Sequence, residues 1–171
     1  MKKILMTMAL AMMSFITVSA QKFALVDMEY ILKNVPAYER ANEQLNQVSK
    51  KWEGEIDAIL KDVEAQYKKY QSEAVFLSDA QKTKTEEAIM QKEKEASDLK
   101  KKYFGSEGEL FKKRQSLMSP IQDEIYNAVK DICDLRGYQL VLDRASGGSI
   151  IYASPKIDIS DEVLQKLGYA R

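Results

Sequence analysis

"LNQVSKKWEGEIDAILKDVEAQYKKYQSEA", residues 45–74, places its apolar side chains on a fixed rhythm. Leu45, Val48 and Trp52 are followed by Ile56, Ile59 and Val63, then by Tyr67, Tyr70 and Ala74, a 3-4-4 spacing that repeats every eleven residues. Such a repeat averages about 3.67 residues per turn, close to an unstrained α-helix, so the stripe runs nearly straight along a rod. It covers only about a quarter to a third of the helix surface. That suffices to bury against one partner helix and is too little for a globular core.

The partner is expected to be the next segment. The rhythm changes at Val75, Phe76 and Leu77, and "SDAQ" then supplies Ser78 as N-cap, Asp79 in the first turn and Gln81 at the capping-box position. A second helix is predicted to run back from there to about Leu117, before "SPIQ" offers a new start with Ser119 as cap and Pro120 at the first helical position. The two limbs, residues 37–75 and 79–117, come out equal in length. Equal limbs describe an antiparallel hairpin about 58 Å long that returns the chain to its point of departure. Between Gln81 and Asp98 the apolar residues thin to Ala88, Ile89, Met90 and Ala96, so the outer seam is expected to be weak. Gly54, Gly105 and Gly108 fall at similar heights if the turn centres on Leu77. Each costs a helix interior about 1 kcal/mol relative to alanine, and the arm is expected to bend there.

The hairpin interrupts a split base. "KFALVDM", residues 22–28, is apolar on both faces and reads as a buried strand; "EYILKNV" makes a short helical turn that must stop before Pro36. After the hairpin comes a helix from Pro120 to Arg136, with Ile121, Ile125, Ala128, Val129, Ile132 and Leu135 on one face and Gly137 as its stop. Two strands are predicted next, "YQLVLD" from Tyr138 and "SIIYA" from Ser149, joined as a hairpin by "RASGG". A final helix follows, with Ser160 as cap and Asp161 and Glu162 in its first turn. The expected organisation is a body of residues 21–36 and 118–171 and an arm of residues 37–117. The fold class is α+β, mostly α. So small a body has open sheet edges and a marginal core, and self-association is the economical remedy. The apolar residues expected at that interface are Phe23, Leu25, Val26, Leu140, Leu142, Ile150 and Ile151.

Residues 1–20 are a separate object. Lys2 and Lys3 precede an apolar run from Ile4 to Val18 and the small pair Ser19-Ala20, which is the layout of a cleavable secretory signal with cleavage after Ala20. No later stretch approaches membrane-spanning length, and no cysteine follows Ala20 directly to accept a lipid. The expected product is a soluble exported protein starting at Gln21, with 24 basic and 26 acidic residues and nothing that points to nucleic acid.

The chain of 171 residues has no histidine and one cysteine, Cys133. The commonest general base and metal ligand is missing, and an intramolecular disulfide is impossible. Cys133 reads as a small buried hydrophobe. The carboxylates are dispersed among lysines at helical spacing, and neither a GxxxxGK[ST] loop nor a GxSxG elbow occurs. Catalytic residues, cofactors and metals are therefore not expected.

The order of these elements, and in particular the two ends "ALVDMEYIL" and "YQLVLD…IIYA…DISDEVLQKL", resembles the Skp/OmpH family of periplasmic chaperones across essentially the whole exported chain. The resemblance implies a jellyfish-like homotrimer, with a β-barrel-like body and three helical tentacles around a cavity that holds unfolded outer-membrane β-barrel proteins without ATP. One departure is visible: the arm carries 16 basic and 16 acidic residues, where the best-known members are strongly basic. No lipopolysaccharide site is carried over. The candidate client contacts are Val75, Phe76 and Leu77 at the tip, with Ile89 and Met90 nearby; the tip residues alternatively cap the hairpin's own seam. A structural or adaptor coiled coil of the envelope, reaching one folded partner, is the second reading of the same seam.

Overall fold

The protein is described by a computed structural model covering residues 21–146 and 150–169; the expected export signal, residues 1–20, lies outside these residues. Strand β1 (Phe23–Val26) leads into the short helix α1 (Met28–Lys33), whose N-terminus is capped by Asp27 accepting from the Tyr30 N–H at 2.8 Å. Helix α2 (Pro36–Glu73) starts with proline in its first turn, where no backbone donor is needed, and runs unbroken for 38 residues. A single 3-10 turn (Ala74–Phe76) reverses the chain. Helix α3 (Asp79–Phe104) then starts on the predicted capping box, in which Ser78 and Gln81 bond reciprocally.

Along the seam between α2 and α3, Ile56 and Val63 of α2 and Ile89 and Ala96 of α3 are buried. The predicted stripe holds from Leu45 to Val63 and again at Tyr70 and Ala74, both half buried; only Tyr67 leaves it, 51% exposed, and the neighbouring Gln66 is half buried in its stead.

The return limb departs from expectation at two places. It breaks at residues 105–108 and then continues as helix α4 (Glu109–Arg136), which passes through Ser119 and Pro120 without stopping. Proline there removes one ladder bond on an exposed side of the helix. The opposite side buries Ile121, Ile125, Ala128 and Ile132 in the core, and that burial outweighs the loss. At Gly105 and Gly108 the backbone instead approaches itself too closely for any side chain. A Cβ at Gly105 would lie 2.5 Å from the Lys101 carbonyl oxygen, and one at Gly108 would lie 2.8 Å from that of Tyr103. Gly137 closes α4 in the left-handed conformation, as predicted.

Strand β2 (Leu140–Asp143) pairs with β1 in parallel, from Phe23 opposite Leu140 to Val26 opposite Asp143. Parallel pairing demands a long crossover, and here the crossover contains the entire arm. The other edge of β1 is covered where Leu25 bridges Asp158 and accepts the Ile159 N–H at 2.9 Å. The predicted hairpin partner of β2 is not a strand: residues 150–153 are irregular, with Ile151 fully exposed and Tyr152 at 83%. This segment is apolar on both faces, and the described residues leave Ile151 and Tyr152 uncovered. Pro155 then opens a second 3-10 turn (Pro155–Ile157) that carries the chain back to β1.

Helix α5 (Ser160–Lys166) completes the body. Ser160 is its first residue rather than its side-chain cap. Its hydroxyl accepts the Asp27 N–H at 2.8 Å and donates to Asp158 Oδ1 at 2.6 Å. The core joins all the body elements through Ala24, Val26, Ile31, Val35, Ile125 and Val163, among others. Leu135, expected on the core face of α4, is instead 82% exposed; it stands in the last turn, past Ile132, the last buried residue of the helix.

Candidate functional site

Two surfaces remain open once the core and the seam are closed: the arm with its tip, and the free side of β2. The arm is held shut by rungs spaced along its length. Near the root, the Trp52 and Tyr103 rings stack at 4.6 Å between centroids and 3° from parallel, and Phe104 stands edge-on to both at 6.4 Å. The Tyr103 hydroxyl donates to Glu55 Oε2 at 2.9 Å, which raises the tyrosine pKa by stabilising the protonated phenol. Farther out, Lys92 bonds to Asp62 across the seam, and that bond, with one from Gln66, lowers the Asp62 pKa. Nearest the tip, the Tyr70 hydroxyl donates to Glu86. Polar rungs of this kind fix the register of a seam whose apolar content is low.

With the seam so closed, the candidate client residues separate. Val75 and Phe76, in the reversing 3-10 turn, are 82% and 85% exposed; Met90 is 66% exposed; Leu77 is half buried. Ile89 is 5% exposed and turned into the seam, so its side chain is withdrawn from the surface its neighbour Met90 presents. Successive residues of a helix point about 100° apart, which is why sequence adjacency grouped two side chains that the fold divides.

The body residues separate in the same way. Leu25 and Val26, each 5% exposed, belong to this chain's own interior. Phe23, Leu140, Leu142, Ile150 and Ile151 remain on the surface. Beside β2 lies a groove of about 450 Å³, whose walls include Met28, Tyr126, Val129, Cys133, Tyr138 and Leu140. Cys133 is half buried in this wall rather than fully enclosed, and burial pushes its thiol above the usual range.

At the far end of the two strands, Arg144 ties the body together. It donates to Asp27 Oδ2 at 3.0 Å and pairs with Asp158 Oδ2 at 3.2 Å, while Asp143 Oδ1 accepts the Met28 N–H at 3.1 Å. The Tyr30 N–H and then the Arg144 guanidinium hold the Asp27 carboxyl below its ordinary pKa. These groups are committed to one another and present no substrate-facing acid or base. Among the described residues no cluster of three metal-ligating side chains occurs, and no helix is long and apolar enough to cross a membrane. Sequence reading missed the Trp52–Tyr103 stack and the Arg144 network. The only prior signal was the arrival of aromatic residues on both limbs at matching distances from the turn.

The family described as "Outer membrane protein (OmpH-like)" matches residues 22–167. A Chaperone protein Skp from Yersinia enterocolitica is 28% identical over 163 residues, which span 94% of each chain. A Chaperone protein Skp from Photorhabdus luminescens is 24% identical, with 87% of each chain covered. Among solved structures, an OmpH-like protein from Caulobacter crescentus CB15 superposes with a TM-score of 0.70 at 12% identity, over 87% of this chain and 85% of that one. The last likeness shows that the fold is shared.

Proposed function

This chain belongs to the Skp/OmpH family, and from that membership we propose that it is an ATP-independent holdase chaperone of the periplasm. It binds unfolded outer-membrane β-barrel proteins and keeps them from aggregating before insertion. Its export signal is residues 1–20, cleaved after Ala20. Residues 21–36 and 118–171 form the body through which three copies associate, and residues 37–117 form the arm. Binding is non-enzymatic and needs no cofactor.

The observation that carries this reading is the state of the outer arm: the seam is closed, yet Val75 and Phe76 at the tip and Met90 along the return limb stand in water. Exposed apolar side chains on a limb of balanced charge suit a binder that must accept many sequences. Each contact is weak, and several arms engaging one client raise the avidity without selecting a single motif. The client residues of choice are therefore Val75, Phe76, Leu77 and Met90. The groove beside β2, with Phe23, Leu140, Leu142, Ile150 and Ile151 around it, supports the proposed association of bodies, since a free strand edge lined with apolar side chains is stable only when covered.

The test is dilution of a urea-denatured outer-membrane β-barrel into buffer with and without the purified protein. The proposal expects light scattering to be suppressed at near-stoichiometric amounts without ATP. Unchanged aggregation, together with capture of one folded envelope protein in a pull-down, favours the adaptor reading instead.

A further inference from the structure

The return limb is broken at residues 105–108, yet its apolar positions keep one helical phase across the gap. Tyr103, Leu110 and Leu117 follow one another at sevens and lead into Ile121 and Ile125 at fours, the spacing of a single uninterrupted face. The break itself is shallow. At Gly105 and Gly108 φ is −60° and −69°, already helical; only ψ, at 167° and 175°, is extended. A turn closed by the Gly108 N–H on the Gly105 carbonyl at 2.9 Å takes the place of the helical ladder. No side chain caps the N-terminus of α4.

We propose that residues 105–108 are a two-state joint, open as a turn in this structure and able to close so that α3 and α4 become one continuous rod. Closing gains the missing ladder bonds and fills two helix positions with glycine, which opposes it; opening relieves the glycines and forgoes ladder bonds at the ends of both helices, where Gly108 is buried. These terms are of similar size, so both forms are populated. Side-chain geometry gives glycine its place here: with a Cβ at either position the open form collides with its own carbonyl oxygens, whereas the closed form accepts alanine readily.

The opposite limb is built to follow. Helix α2 runs unbroken past the joint and carries Gly54, whose would-be Cβ has no atom within 4 Å beyond its chain neighbours and its own helix backbone, beside Glu55 and near Trp52, the two residues that hold Tyr103. When α3 realigns with α4, the clasp draws α2 along and the bend falls at Gly54. The outer arm thereby changes direction relative to the body. This device is independent of what the arm binds.

The experiment uses the full exported chain in a Cys133→Ala background, with nitroxide labels at Lys94→Cys and Lys113→Cys, both exposed positions, diluted with unlabelled chain. In one continuous helix the two sites lie about 28 Å apart along the axis. Pulsed dipolar spectroscopy is expected to resolve two distance populations, one of them near that value. Gly105→Ala/Gly108→Ala should merge them into the helical distance and increase the helical circular-dichroism signal. Ser106→Pro, which favours the turn and obstructs a helix interior, should remove the helical population. A single distance that the alanine pair leaves in place overturns the proposal. Should the alanine pair fail to fold, a wild-type distribution with nothing near 28 Å, or one indifferent to Ser106→Pro, overturns it equally.

Discussion

Trp52 and Tyr103 lie face to face across the arm, 4.6 Å between ring centroids, although 51 positions separate them in the chain. This contact closes the seam at the height where the return limb breaks. Two flat rings bury large area at low entropic cost, so the stack holds the seam firmly near its root. Removing one ring removes the clasp: Trp52→Ala is expected to cost about 2 kcal/mol, at the low end for a large aromatic because the ring is only half buried. For a chain of this size that is a fall of roughly 4–8 °C in Tm. Tyr103→Phe keeps the stack and loses only the bond to Glu55, so its Tm should shift less than that of Trp52→Ala; differential scanning calorimetry on both variants checks the order.

The tip and the seam should respond oppositely to polar substitution. Val75→Ser/Phe76→Ser alters side chains that are more than four-fifths exposed, so stability should change by no more than about 0.5 kcal/mol while protection of a denatured barrel protein falls. Ile89→Ser, in the seam, is expected to cost about 2–3 kcal/mol by removing buried methyl groups and burying a hydroxyl. Thermal denaturation read beside aggregation suppression separates the two.

Acid should loosen the body at its strand ends. The Asp27 carboxyl is depressed below its ordinary value of 3.8, so its contribution is fully present above that pH and disappears as pH falls through the lower, folded value. Stability in urea should therefore be level with respect to this group near neutrality and decline below about pH 4. Asp27→Asn can still accept the Tyr30 N–H but carries no charge for Arg144. It should be less stable at pH 7 and show a flatter loss between about pH 4 and 2.

The thiol of Cys133 should be slow. Burial raises its pKa, the neighbouring Asp134 carboxylate adds to the rise, and only the thiolate reacts. Ellman's reagent at pH 7.5 is expected to label the native protein much more slowly than the urea-unfolded chain. Because the residue lines the groove beside β2, concentrations that drive self-association should slow labelling further.

Local chemistry was legible in the sequence, and register was not. The Ser78/Gln81 box, the Gly137 stop and the stripe from Leu45 to Val63 each depend on residues within a few positions of one another, and all three are realised. The break at Gly105 and the passage through Pro120 reversed the expected order of helix ends. Proline announces a helix start locally, but four buried residues on the opposite face of α4 overrule it. The strand expected at residues 150–153 has the right composition for a sheet and no paired strand among the described residues to complete one. For the candidate site, Val75, Phe76 and Met90 were recognisable as apolar residues in a polar limb. Whether a given side chain faces its partner helix depends on how the reversing turn at residues 74–76 phases the two limbs, and that phase divides Met90 from Ile89. The Trp52–Tyr103 clasp depends on the same phase.

On the proposed function, the arms hold an unfolded client while the body holds the arms together. Size-exclusion chromatography with light scattering, run on the chain from Gln21 alone and after mixing with a denatured outer-membrane β-barrel, measures both at once. The predicted masses are three chains alone and three chains plus one client, without ATP. A monomer whose mass is unchanged by the client, while the client elutes as aggregate, would contradict it.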